Sequence, residues 1–301
     1  MPNNSNKVKF DLEKIQEFLL NGNTSEAEDA LISAEKHTEE KSEKKSIDRL
    51  WVRLYLARGE VEQAQRKIKN YIKTCKLSRS NSAERDIFLL ESLLNHTSGH
   101  SQSAEKTLDN LLSDSDLNDP NNGWILVNLG CILRDRGNWL KAGDCFQKAA
   151  QHDDKEPELT SRAALNYAEM LSDLGVSGFE HWAEKTVSMA PIWSGWEHLK
   201  RAQILLALHE FWSSDIRQKI TELYRHLEEG DQLGSIHVRL RSRMALIKVL
   251  GEIGDWETVS GLILDAKKFL ALACEASSRY YQSILELKWF EYNLKQSDIE
   301  N

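Results

Sequence analysis

The chain has 301 residues, 29% of them charged, a net charge of −8, and only 4 prolines against 41 leucines and 18 isoleucines. Valine and threonine number 9 each; strands favour β-branched residues, whereas helices favour leucine with straight-chain charged residues. That bias excludes an all-β fold and argues against a doubly wound sheet, and the acidic balance argues against direct nucleic-acid binding, which needs clustered cations to release counterions.

Residues 1–8 read as a disordered lead with no apolar stretch of the signal-peptide kind. A first helix hairpin turns at Gly22, with Ile15 and Phe18 before it and Ala27, Leu31 and Ala34 after it. A second turns at Gly59, between Val52 and Tyr55 on one side and Ala64, Ile68 and Tyr71 on the other. A third, more degenerate, turns at Gly99, flanked by Ser92, Asn95, Ala104, Leu108 and Leu111. The stretches 37–46, 77–82 and 113–122 read as inter-helix loops.

The clearest hairpin is WILVNLGCILRDRGNWLKAGDCFQKAA, Trp124 to Ala150. Leu126, Leu129, Gly130 and Leu133 share one helix face, Gly137 ends that helix, and Ala142, Phe146 and Ala149 mark the inner face of the next. Small residues at Gly130 and Ala142 let the backbones approach while Phe146 fills the space beside them. A fifth hairpin turns at Gly175, after Ala168 and Leu171. Its second helix carries Ala183, Val187 and Ala190, and Pro191 ends it. A sixth, weak in pattern, turns between Phe211 and Asp215, and a seventh at Gly254, between Ile247 and Leu250 and Trp256, Val259, Ile263 and Ala266. A last helix, about Ser277 to Leu294, is apolar on more than one side and either caps the last pair while docking a partner or simply packs into the groove end. Residues 296–301 read as a flexible tail.

The set Leu129-Gly130, Leu133, Gly137, Ala142, Phe146, Ala149 resembles the tetratricopeptide repeat (TPR) superfamily, and the copies cover roughly residues 10 to 270. The resemblance implies an all-α, right-handed superhelical solenoid of antiparallel helix pairs, about seven pairs plus a C-terminal capping helix, in one domain over residues 9–295. Its glycine intervals of 37, 40, 38, 38 and 79 residues exceed the family's ~34, which calls for longer helices or loops. HEAT-type pairs of ~40–47 residues are the structural alternative.

The resemblance also implies that the first helix of each pair lines the concave face. Positions ten and six before each turn glycine lie four apart and are expected to face that groove. They are Arg49 and Arg53, Leu89 and Leu93, Val127 and Cys131, Leu165 and Glu169, and Met244 and Lys248. Thirteen before the glycine come Ser46, Asp86, Trp124, Arg162 and Arg241. The groove so drawn has an apolar centre between basic ends, suited to an extended or helical peptide with apolar anchors and acidic residues. Asn128 and Asn166 stand nine before their glycines. In TPR proteins an asparagine there often bonds a ligand backbone or carboxylate; the alternative is a structural bridge between helices.

Catalytic signatures are missing: there is no GxxxxGK[ST] loop, HExxH pair or GxSxG elbow. His198 and His209, beside Glu197 and Glu210, lack a second convergent ligand set, and Glu222 with His226 reads as a helix contact. The tryptophans Trp182, Trp193, Trp196 and Trp212 read as core fillers ahead of an aromatic binding wall. Arg66, Lys67, Lys69, Lys73, Lys76 and Arg79 read as a solvated helix face ahead of a docking patch for an acidic partner. Four scattered cysteines and no apolar run near ~20 residues suit a soluble cytoplasmic protein off the membrane. The expectation is a non-enzymatic scaffold, without cofactor or metal, that binds a protein or peptide in its groove. The alternatives are a peptide-responsive regulatory module acting in trans on a transcription or defence factor and, third, an all-helical enzyme.

Overall fold

A computed structural model of the chain describes residues 4–38, 40–58, 60–76, 81–113, 122–151, 156–193, 195–211, 215–270, 281–282, 285–290 and 292–294. Among them there is no strand. Fourteen α-helices form seven consecutive pairs: α1 (Asn4–Leu20) with α2 (Thr24–His37), α3 (Lys41–Arg58) with α4 (Val61–Lys76), α5 (Asn81–Thr97) with α6 (Ser101–Ser113), and α7 (Asn122–Asp135) with α8 (Trp139–Ala150). They continue as α9 (Pro157–Asp173) with α10 (Phe179–Met189), α11 (Trp196–His209) with α12 (Ile216–Leu233), and α13 (Ile236–Glu252) with α14 (Trp256–Leu270). A 3₁₀ turn, Ala190–Trp193, follows α10 where Pro191 bars a longer α-helix. Residues 281–282, 285–290 and 292–294 are also helical. The expected sequence of pairs, including the weak sixth, is present.

Two boundaries differ from expectation by more than two residues. Helix α1 begins at Asn4, inside the stretch read as a lead, and α3 begins at Lys41, inside the loop expected at 37–46. The run 41–46, three lysines with Glu43 and two serines, contains good helix formers that its polarity disguised as loop. The turn at Gly59, Trp212 and Arg79 lie outside the described residues.

The hairpin grammar has the physical basis inferred for it. Gly137 closes α7 at φ +77°, a left-handed conformation that side chains with a Cβ resist. A Cβ at Gly130 would lie 2.6 Å from Phe146 Cε1, so the bare backbone there makes room for a ring that is fully buried. Ala104, Leu108, Ile125, Leu129, Ala142 and Phe146 form one continuous core across α6, α7 and α8.

Helices α7 and α9, α9 and α11, and α11 and α13 pack directly against one another, as well as against their own partners. The stack therefore curves with the first helices inside. The curvature brings its beginning onto its end: α3 packs on α13, and the α1–α2 turn at Gly22 sits on the Trp196 ring and Leu233. Arg53 of α3 reaches Glu158 of α9 at 2.9 Å, 105 residues along the chain. The array thus meets itself along a seam.

Candidate interaction surface

The inner face is built from a polar stripe that recurs in successive first helices. In α7 it comprises Trp124, Asn128, Cys131 and Asp135; in α9 it comprises Arg162, Asn166, Glu169 and Asp173. The two sets stand thirteen, nine, six and two residues before their turn glycines, spacings of four, three and four that keep one side of a helix. The expected stripe at ten before the glycine is displaced. Val127 packs with Ala149, Ala150, Leu159 and Ala163, and Leu165 with Ala168, Ala183, Ala202 and Leu205. Both face the joint between pairs rather than the groove, because 360° per turn puts the tenth position one residue, about 100°, from the ninth.

Asn128 and Asn166 make matching bonds. Each side-chain Nδ2 donates to the carbonyl four residues earlier, Trp124 and Arg162, at 2.9 Å. Asn166 Oδ1 also accepts from Arg134 Nη1 at 3.2 Å and Cys131 Sγ at 3.8 Å, so it bridges α9 to α7. Burial pushes the Cys131 thiol up from its ordinary value, and it pushes the Cys145 thiol up to about 11. The Arg162 guanidinium lies 5.5 Å over the Trp124 ring, tying the same two helices near the groove surface.

Deeper inside, Glu169 is fully buried and receives Arg201 Nε and Nη2 at 2.9 and 2.7 Å and Arg241 Nε at 3.0 Å. Burial opposes its charge, but the Arg201 and Arg241 guanidiniums outweigh that and hold its carboxyl well below the usual range. Arg241 continues to Asp173 at 2.6 Å and to the Tyr281 hydroxyl at 3.1 Å. The segment after α14 thus meets the inner face, with Leu285 buried beside it. Toward the other side, Asp135 accepts from Arg134 Nε at 3.1 Å and pairs with His96 Nε2 at 3.0 Å. The inner face carries a string of hydrogen-bonded and ion-paired side chains crossing from α5 to α13.

The remaining expected groove residues scatter. Arg49 is exposed, over the Tyr71 ring, and Leu89 and Leu93 are half-buried in inter-helix cores. Met244 and Lys248 line a cavity of about 170 Å³ shared with Asp173, Arg241, Leu285 and Lys288. Arg241, expected at the surface, is buried in the charge network. Sequence reasoning missed Arg134, Asp135, Asp173 and Arg201. The pair Asp135 and Asp173 carried a signal, since each stands two before its turn glycine.

A second cavity, also of about 170 Å³, lies at the seam. Leu19, Leu20, Leu56 and Ala57 face it from α1 and α3, and Arg162, Trp193, Glu197, His198 and His237 from the far side. Glu197 is met by Arg201 Nη1 at 3.2 Å and the Ser235 hydroxyl at 2.9 Å. Trp193 Nε1 donates to Ser161 Oγ at 3.1 Å, and Ser161 Oγ is also hydrogen-bonded to His198 Nδ1 at 3.1 Å. Burial and the nearby Arg162 and Arg201 charges hold His198 well below its ordinary value, so it is neutral. Trp193 is therefore a hydrogen-bonded wall element, while Trp182 and Trp196 pack on the cores as fillers.

Elsewhere, His209 is exposed against Phe179, far in role from buried His198. No group of three His, Cys, Asp or Glu among the described residues could hold a metal. In the basic stretch, Lys67 pairs with Glu35 at 2.6 Å and Asp48 at 3.2 Å, and Arg66 with Glu62 at 3.5 Å, while Lys69 and Lys73 are exposed. No helix of the described residues is long and apolar enough to cross a membrane.

No family model matches the chain, and no curated protein matches it by sequence. Among solved structures it is similar to a Rap protein complexed with Competence and Sporulation Factor, at 12% identity and a TM-score of 0.53, over 98% of this chain and 99% of that one. The apo form of RapI matches at 12% identity and a TM-score of 0.48, over 96% of this chain and 86% of that one. The first likeness shows a shared fold along nearly the whole length.

Proposed function

With the TPR-like helical-repeat fold as premise, we propose that the chain is a non-enzymatic interaction module, working without a cofactor, that holds a protein or peptide partner along its inner face. One observation carries this reading: Trp124, Asn128, Arg162 and Arg53 form a half-exposed patch on the inner stripe, backed by a rigid network of buried ion pairs. A face fixed before binding loses little conformational freedom on binding, so its contacts are expressed as affinity. Aromatic and guanidinium groups are the side chains that most often dominate such contacts. That a protein of the same fold is found with Competence and Sporulation Factor supports the reading. The partner suited to this patch has apolar anchors and acidic groups, and the protein is placed in the cytoplasm on this reading.

The test is a pull-down from native extract with the wild-type chain and a Trp124→Ala, Asn128→Ala double variant. Loss of a co-purifying protein or peptide from the folded variant supports the inner face; unchanged capture removes it from consideration.

A regulatory reading is favoured by the seam. Contacts of Arg53 with Glu158 and Gly22 with Trp196 join the first pairs to the fifth and sixth, so a ligand that prefers one seam geometry would change the outer shape presented to a second protein. Small-angle scattering with and without the captured partner tests it, and identical dimensions count against it.

A further inference from the structure

The seam cavity has an unequal share of donors and acceptors. Arg53 Nη2 and Arg162 Nη2 both bond the same oxygen, Glu158 Oε1, at 2.9 and 3.2 Å. A guanidinium carries five donors, and one carboxylate oxygen cannot occupy two such forks. Arg162 Nε is buried and has no hydrogen-bond partner. Burial, and then the Arg162 and Arg49 charges, weigh against the Arg53 cation despite Glu158. Two guanidiniums are thus held close together with donor capacity to spare.

The rest of the lining limits what can meet them. Leu56 and its neighbours from α1 and α3 make one wall apolar. Glu197 lies in the opposite wall, already paired, and its charge disfavours a dianion such as phosphate while leaving a monoanion tolerable. A volume of about 170 Å³ is close to that of an engineered ~150 Å³ protein cavity that holds benzene, so it takes one medium side chain.

We propose that this cavity is a carboxylate subsite, in which Arg53 and Arg162 grip a monocarboxylate whose single apolar group lies against Leu56 and Trp193. The chemistry is that of a free N-acylated apolar amino acid or of the last residue of a peptide. In the latter form the subsite deepens the inner-face reading, on which that form rests; the carboxylate chemistry is testable apart from it.

The experiment compares N-acetyl-L-leucine with N-acetyl-L-leucinamide on the full chain by ligand-detected NMR. The acid is expected to bind at least about tenfold more tightly, as loss of a charge-assisted bond implies. Arg162→Gln is expected to weaken the acid by a similar factor, and Glu158→Gln, which removes the competing carboxylate, to strengthen it. Each variant's circular dichroism identifies any that fails to fold, so the two are independent checks. Equal binding of acid and amide, no binding of either, or unchanged acid affinity in folded Arg162→Gln overturns the proposal. N-acetyl-Ala-Ala-Leu as the free acid separates the sources: tighter binding than N-acetyl-L-leucine assigns a chain end, equal binding a small free acid. Because these probes do not use the captured partner, failure here leaves the pull-down result standing, and the converse holds.

Discussion

Glu169 on α9 and Arg201 on α11 are joined by two parallel bonds, Nε to Oε1 at 2.9 Å and Nη2 to Oε2 at 2.7 Å, with no exposed carboxylate surface. Arg241 shares the same carboxylate. Removing it leaves two buried guanidiniums short of a counter-charge, a loss of about 3–5 kcal/mol. Glu169→Ala is accordingly expected to lower the stability read from urea unfolding sharply, whereas the exposed-pair variant Glu62→Ala leaves that stability within about 0.5 kcal/mol. Equal, small effects would mean the network is not closed to solvent.

Stability is expected to fall in two steps as pH is lowered. His198 is held well below its ordinary value of 6.5 by burial, so the unfolded chain takes up its proton first. Its contribution is present above 6.5 and diminishes as pH falls toward the depressed folded value. Glu169 is depressed from 4.5, so its contribution is present above that value and is lost only in stronger acid. Urea titrations across this range check the order. A His198→Gln variant that keeps the decline through 6.5 unchanged would remove His198 as its source, leaving half-buried His237 and buried His226, which are shifted the same way.

Two glycines of the same backbone type separate the seam from local strain. Gly22 and Gly137 have φ of +76° and +77°, but a Cβ at Gly22 would stand 2.7 Å from the Trp196 ring while one at Gly137 meets nothing within 4 Å. Gly137→Ala is expected to cost about 1–2 kcal/mol from the left-handed backbone alone. Gly22→Ala should cost that and also enlarge the particle, read as an increased radius of gyration. Identical dimensions for the two variants would show that Gly22 does not hold the seam.

The two equivalent asparagines are expected to differ. Asn166 bridges α9 to Arg134 and Cys131 on α7, whereas Asn128 has its i−4 carbonyl bond alone among the described contacts. Asn166→Ala should cost about 1–3 kcal/mol by removing the oxygen that bridges α9 to Arg134 Nη1 and Cys131 on α7, and Asn128→Ala clearly less. Matching losses in thermal denaturation would argue that both act within the helix only.

The hairpins were legible because each is a local problem: a turn glycine, small residues where backbones touch, and a large ring beside them lie within about forty residues, as Gly130, Gly137, Ala142 and Phe146 show. The resemblance implied which helices line the interior, and the residues thirteen, nine and six before each glycine, Asn128 and Asn166 among them, were expected there; only the tenth position, Val127 and Leu165, packs into the joints between pairs instead. Whether the sixth pair would form was faint in pattern because its core draws on Phe211, Leu223 and α13 rather than on a glycine-centred set.

What the amino-acid order determined by itself was the repeat: helix, turn and inward face follow from periodicities of three and four, which neighbouring residues enforce without reference to the rest of the chain. The seam, the pairing of Arg53 with Glu158, and the gathering of Glu169, Arg201 and Arg241 about one carboxylate were decided only in three dimensions. Small rotations between successive pairs accumulate until ends far apart in sequence meet, and no local pattern encodes a sum over six joints.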